Sequence, residues 1–164
     1  MLDQSRLKEL LSYDSGTGKF TWRKRTSNRI STGDLAGTLQ GIGYICISID
    51  AKLYFAHRLA WLYINGEFPK RQIDHINGIR HDNRIENLRD VSCLENAKNQ
   101  KMKNTNKSGV SGVSWHKGGG KWQVKILENY KQIYLGLFGD WFEAVCARKS
   151  AENKYGYHVN CGRK

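Results

Sequence analysis

The chain is poor in proline, in acids and in long apolar runs. One proline in 164 residues excludes the Pro-rich stretches that make stiff linkers or extended peptide ligands. No apolar run exceeds a few residues, so no segment reads as a transmembrane helix. The opening residues, MLDQSRLKELL, place an acid and an arginine where a secretory signal needs an apolar core. The four cysteines, Cys46, Cys93, Cys146 and Cys161, form no C-x-x-C pair, which argues against a zinc knuckle or ribbon. Without a secretory signal, the expectation is free thiols in a reducing, cytoplasmic setting.

Lys and Arg number 27 against 15 Asp and Glu, giving +12 and a pI near 9.7. Mean hydropathy is −0.64, and 5 Trp, 8 Tyr and 5 Phe argue against disorder. Such a cation excess points to a polyanionic partner. Nucleic acid leads, with an anionic membrane surface behind.

The charge is unevenly placed. Residues 1–30 carry a net +4, which includes Arg23, Lys24, Arg25 and Arg29. Residues 71–96 carry a net −1, and residues 97–109 carry four lysines and no acid. A module that only grips a polyanion has little use for an acidic centre. A site for a hard cation does, because such ions take carboxylate oxygens.

Periodicity predicts a short helix over residues 4–12, with Leu7, Leu10 and Leu11 at helical spacing. Phe20 and Trp22 alternate as in a strand, and residues 43–49 and 52–55 read as strands around a turn at Asp50-Ala51. Residues 56–65 read as a helix ended by Gly66 and Pro69. In the centre, residues 72–76 and 88–91 read as strands of a long hairpin with Asn77-Gly78 as a turn. Ser92 and Glu95 form a capping-box pattern for a helix over residues 93–101. Residues 101–109 read as a basic linker. Beyond it come strands over 113–115, 121–127 and 132–138. A helix with Ala144, Ala147, Ala151 and Tyr155 on one stripe follows, with Asp140 as N-cap.

Asp74, His75, Asn87 and Asn96 are the central candidates. In phosphodiester hydrolysis a metal neutralises charge on the phosphate and on the leaving oxygen. Asp74 and Asn96 supply oxygen ligands suited to Mg²⁺, or another divalent cation such as Mn²⁺, more than to zinc. His75 is the general base. Asn87 accepts the other imidazole N–H and fixes the tautomer. Adjacent strand residues face opposite sides, so Asp74 and His75 share a site only if the strand ends or twists there. His81 and Asn83 read as solvated turn residues, and His57 reads as structural.

The stretches Phe55-Ala56-His57-Arg58-Leu59-Ala60-Trp61, Ile73-Asp74-His75-Ile76-Asn77-Gly78, Asp82-Asn83-Arg84 and Asn87-Leu88-Arg89, followed by Asn96 and Asn99, resemble the HNH endonucleases of phages and mobile introns over about residues 40–100. The resemblance implies a ββα-metal fold and single-metal DNA cleavage. It implies His75 as base, Asn87 as the residue that orients it, and Asp74 and Asn96 as metal ligands. The family often has histidine at the place of Asn96, though its homing branch also uses asparagine there.

On the strand over 121–127, Lys121, Gln123 and Lys125 share one face, and Trp122, Val124 and Ile126 the other. A small sheet can present such a basic face to the DNA major groove. Ser111–Trp115, Gly120–Ile126, Tyr134–Phe138 and the Glu143–Ala151 segment resemble the DNA-binding domain of plant ethylene-response factors (the APETALA-two type) over about residues 108–157. That resemblance implies a three-stranded sheet backed by one helix. It aligns Ser114, His116, Lys121, Lys125 and Tyr134 with the DNA-contacting strands. Arginine is expected at Ser114 and His116 and tryptophan at Tyr134, so the plant target sequence does not carry over.

The expected fold class is α+β. A ββα-metal nuclease with a β-rich extension occupies residues 1–100, the basic linker residues 101–109, and a sheet-plus-helix DNA-binding domain residues 110–164. The expected function is metal-dependent cleavage of double-stranded DNA by a homing-type enzyme of a phage or mobile element, acting in the bacterial cytoplasm. Lys98, Lys101, Lys103 and Lys107 neutralise phosphates between the modules. No membrane and no small-molecule cofactor is expected, and the protein is a monomer or a homodimer. The rival is a non-catalytic sequence-specific DNA-binding regulator. RNA binding stands third, because the aromatic RNP motifs are missing.

Overall fold

The structure is a computed structural model that describes residues 2–163. It divides into two compact units, Met1–Val91 and Ser92–Lys164.

In the first unit, α1 (Gln4–Leu10) starts at Asp3, whose carboxylate accepts the Arg6 backbone N–H at 2.8 Å. This cap satisfies a helix donor that has no partner inside the helix. The helix is shorter than its periodicity predicts, because Leu11 leaves it to begin β1 (Leu11–Asp14). Strand β1 pairs antiparallel with β2 (Lys19–Trp22), which carries β3 (Leu35–Ala36) on its other edge. A second sheet is built from β4 (Thr38–Leu39), β5 (Ile45–Ile49) and β6 (Lys52–Phe55). Helix α2 (Ala56–Asn65) spans the residues that the sequence predicts. Leu7, Leu11, Phe20, Ile47, Leu59 and Leu62 are fully buried in one core. At roughly 25 cal/mol per Å² of apolar surface, this burial is what holds the small sheets and two short helices together. Strands β7 (Gln72–His75) and β8 (Leu88–Val91) form a separate antiparallel pair at the end of the unit. Ile73 and Leu88 anchor that pair to the core.

In the second unit, α3 (Cys93–Ala97) carries the expected reciprocal capping box between Ser92 and Glu95. It stops at Ala97, four residues short of its predicted end. Asn99 is buried just beyond, and its backbone carbonyl accepts Arg163 Nη1 at 2.6 Å. Strands β9 (Val113–His116), β10 (Lys121–Glu128) and β11 (Lys131–Phe138) form an antiparallel sheet in the order β11-β10-β9. Helix α4 (Trp141–Lys154), capped by Asp140, covers one face. Val113, Val124 and Ala144 are the centre of this small core.

Of the alanine stripe, Ala144 and Ala151 are buried while Ala147 and Tyr155 are only partly so, and a buried arginine shares the helix face. Arg148 donates from Nε to Glu152 at 2.9 Å and from Nη1 to the Lys125 carbonyl at 2.6 Å. Its guanidinium lies 5.1 Å from the Tyr157 ring centroid. A buried cation is tolerated because each of these partners replaces part of its hydration.

Residues 101–109 are not a free joint. The Met102 N–H donates to the Arg163 carbonyl at 2.9 Å, Ser108 Oγ to the Val113 carbonyl at 2.7 Å, and Trp141 Nε1 to the Ser108 carbonyl at 3.1 Å. The segment lacks apolar periodicity, so composition reads as linker. Asparagine and serine hydrogen bonds hold it to the second unit instead.

Gly112 has a φ of +78°, and a Cβ there would meet the Lys125 carbonyl oxygen and lie 2.6 Å from Arg148 Nη1. Gly112→Ala is therefore expected to destabilise the second unit by about 2–4 kcal/mol. Chemical denaturation checks this, and an unchanged midpoint would contradict the packing at this turn.

Candidate active site

Strand β7 delivers Asp74 and His75 side by side, and both are enclosed, at 7% and 4% exposure. Alternation along a strand puts neighbours on opposite faces. Here both faces are covered, and the strand ends at His75, where its carbonyl accepts the Gly78 N–H at 2.7 Å.

Asp74 stands opposite Arg89 in the β7–β8 register. Its Oδ2 accepts from Arg89 Nε at 2.9 Å and Nη2 at 2.6 Å. Sequence reasoning missed this arginine. The signal that could have found it is the hairpin register itself, which pairs positions 74 and 89.

Asn87 is buried and both ends of its amide are used by the loop between β7 and β8. Oδ1 accepts the Asn77 N–H at 2.9 Å, and Nδ2 donates to the Asp82 carbonyl at 2.8 Å. Its backbone carbonyl accepts the Ile76 N–H at 2.9 Å. The side chain expected to orient the imidazole thus ties the loop shut. Within that loop, Asn77 Nδ2 donates to Asp82 Oδ2 at 2.7 Å. Arg84 and Asn77 together hold the Asp82 carboxyl down to about 2.

The imidazole faces Asn83 instead: His75 Nε2 lies 3.3 Å from Asn83 Oδ1. Asn83 is 1% exposed, not a solvated turn residue. The Tyr13 hydroxyl donates to its backbone carbonyl at 2.7 Å, a contact across 70 residues that no local turn rule anticipates.

His57, in the first turn of α2, is also part of the cluster. Its ring lies 5.1 Å from that of His75, nearly perpendicular, and 5.2 Å from that of Tyr44. Its Nδ1 is enclosed without a hydrogen-bond partner among the described residues. Burial, then the neighbouring His75 and Arg58, push the imidazole down to about 3. Burial also lowers His75, against the opposing pull of Asn83 and Asp74. Both rings are therefore neutral near pH 7, the state a general base requires.

Asn96 lies on α3, in the second unit. Among the described residues no group of three or more His, Cys, Asp or Glu side chains could hold a metal. Asp74 offers one carboxylate, and a hard cation such as Mg²⁺ takes one or two carboxylates while keeping several waters.

Of the expected DNA contacts, Lys98 is already committed. Its ammonium pairs with Glu128 at 2.9 Å and donates to the Tyr155 carbonyl at 2.6 Å. Its charge is paired within the second unit. Lys101, Lys103, Lys107, Ser114, His116, Lys121 and Tyr134 are exposed, and Lys125 is half-buried. The register sets Lys121 beside His116 and Lys125 beside Tyr134. An open groove of about 790 Å³ in this unit is lined by Lys101, Lys103, Lys107, Lys125 and the paired rings of Trp115 and Trp122. In the first unit Lys24 is paired with Glu9 at 2.6 Å, and Arg23 caps the Lys8 carbonyl at 2.9 Å.

The sequence signature of the HNH endonuclease family matches residues 54–98, which run from β6 through α2 and the β7–β8 hairpin to α3. Protein 3.8 of Escherichia phage T7 is 36% identical over 77 residues, 46% of this chain. The chain spans 64% of that protein's length. No solved structure matches.

A buried neutral His57 has a consequence for stability. Its folded-state pKa, about 3, lies below the usual 6.5. The unfolded chain therefore takes up its proton first as the pH falls. Stability is complete above pH 6.5 and declines below it, by up to about 1.4 kcal/mol per unit for this group. Denaturation midpoints between pH 7 and 4.5 are expected to fall, and to fall less steeply in His57→Met. A wild-type midpoint that stays level over that range would rule out the enclosed neutral ring.

Proposed function

We propose that this chain, which carries an HNH endonuclease domain over residues 54–98, is a metal-dependent DNA endonuclease of a phage or mobile element. The observation that carries the reading is His75 itself. It is a buried, neutral imidazole at the end of β7, next to a carboxylate and held by an amide.

In this reading His75 removes the proton from the attacking water. Asn87 closes the loop that fixes the end of β7. Asp74, with Asn96 as the second ligand that the family resemblance assigns, would hold a divalent cation. Bound there, the cation would neutralise charge on the scissile phosphate and the leaving 3′ oxygen. Arg89 keeps the Asp74 carboxylate oriented.

The second unit would grip double-stranded DNA through its sheet, in the manner of the ethylene-response-factor type. Ser114, His116, Lys121, Lys125 and Tyr134 would lie toward the groove, and Lys101, Lys103 and Lys107 would contact phosphates. One active site per chain makes single-strand nicking the expected outcome for a monomer.

A second reading, a regulator that binds DNA without cutting it, is favoured by the bidentate hold of Arg89 on Asp74 Oδ2. A guanidinium at that oxygen competes with a metal ion for it.

Supercoiled plasmid incubated with the full chain and Mg²⁺ is expected to be nicked. His75→Ala should abolish nicking while leaving DNA affinity intact. Binding without nicking, across Mg²⁺ and Mn²⁺ and a range of DNA sequences, would establish the regulator instead. Equal nicking by both proteins would remove His75 from the base role.

Replacing Lys101, Lys103 and Lys107 together by Gln should lower the slope of log affinity against log salt by about 0.9 for each phosphate they neutralise. An unchanged slope would place the phosphate contacts elsewhere. Lys98→Gln is expected to lower stability more than the salt slope.

A further inference from the structure

Asn83 is the most deeply buried polar side chain beside the imidazole. It is 1% exposed, and its Nδ2 is enclosed with no hydrogen-bond partner among the described residues. Leaving a buried N–H unsatisfied costs on the order of 1–3 kcal/mol. An apolar residue of similar size would avoid that cost, so the amide is present for its other end. That end, Oδ1, lies 3.3 Å from His75 Nε2. A carbonyl oxygen only accepts, so the nitrogen facing it carries the proton. In that tautomer Nδ1 is the basic nitrogen of the ring.

Asn83 is itself held from outside the matched family segment. The Tyr13 hydroxyl, on β1, donates to its backbone carbonyl at 2.7 Å. The Tyr13 ring is fixed in turn against Phe20 at 4.7 Å and Tyr63 at 5.6 Å. The turn between β1 and β2 presses on the same place. Gly18 has a φ of +71°, and a Cβ there would meet the Arg84 backbone nitrogen and lie 2.5 Å from the Asn83 carbonyl carbon. No side chain larger than hydrogen fits between this turn and the loop.

We propose that Asn83 is a positioning residue for His75, fixing Nε2 as the protonated nitrogen and Nδ1 as the basic one, and that the N-terminal β1–β2 hairpin holds Asn83 for that task. The catalytic consequence rests on the nuclease reading; the tautomer and its support do not.

Nitrogen-15 NMR of the labelled full chain at pH 7.5 tests the pair directly, with His75→Gln to assign the signals. The wild type is expected to have His75 in the Nε2–H tautomer with a slowly exchanging Nε2 proton. Asn83→Asp keeps an acceptor and should retain that proton signal. Asn83→Ala should lose it. Tyr13→Phe, which removes one hydroxyl, should speed its exchange with the fold intact.

A wild-type Nδ1–H tautomer overturns the proposal. So does a protected Nε2 proton that persists in Asn83→Ala. If Asn83→Ala does not fold, the comparison of Tyr13→Phe with wild type decides. Unchanged Nε2 exchange in Tyr13→Phe then overturns the role of the hairpin. In plasmid nicking, Asn83→Ala should lower kcat on the order of 10- to 100-fold with KM unchanged, and Asn83→Asp should recover part of it. An Nε2–H tautomer in a protein that nicks no DNA would sink the nuclease reading and leave the positioning intact.

Discussion

The first unit depends on how the loop between β7 and β8 is closed. Strands of four residues make too few ladder bonds to hold a long loop in one shape. Asn87 does it with a single side chain, bonding the Asn77 N–H and the Asp82 carbonyl while its own backbone receives Ile76. Because the amide has both a donor and an acceptor, it joins two points of the loop that could not join each other. Asp82, Asn77 and Arg84 then lock the tip. With the loop closed, Asn83 is carried inward to the imidazole, and Asp74 meets Arg89 across the ladder.

What could be read in the sequence was local. The helix over residues 56–65, the strand Leu88–Val91 and the Ser92–Glu95 capping box all follow from periodicity or from spacing of three. Asp74 and His75 stand out because an acid and a histidine sit at the end of a short strand ahead of an Asn-Gly turn. What could not be read was decided over distance. Asn83 looks like a turn former because Asp-Asn pairs usually are; Tyr13, seventy positions away, puts it in the core. His57 reads as structural on an apolar helix face, yet its ring lies against that of His75. Lys98 sits in a run of lysines and looks like its neighbours, but Glu128 and the Tyr155 carbonyl claim it. Arg148 interrupts an alanine stripe and is buried all the same, because Glu152 and the Lys125 carbonyl are there to receive it.

The net charge of +12 divides by use as much as by position. Arg89, Arg84, Lys98, Lys24 and Arg148 are each paired with an acid inside their own unit. The lysines at 101, 103, 107 and 121 remain exposed. Paired cations shape the protein; exposed ones set its long-range field. The acidic centre inferred from composition is in fact largely neutralised by its own arginines, so the site is polar and closed more than it is negative.

The Tyr13 and Gly18 contacts also bear on what can be inherited or transplanted as a unit. The family signature begins at residue 54, and a graft cut there would carry every side chain that the resemblance names. It would leave behind the hydroxyl and the bare turn that keep Asn83 in place. The smallest piece of the chain that carries His75 with Asn83 held beside it therefore starts upstream of β1. A recombination event that replaces the front of the gene would change what holds Asn83 without touching one signature residue.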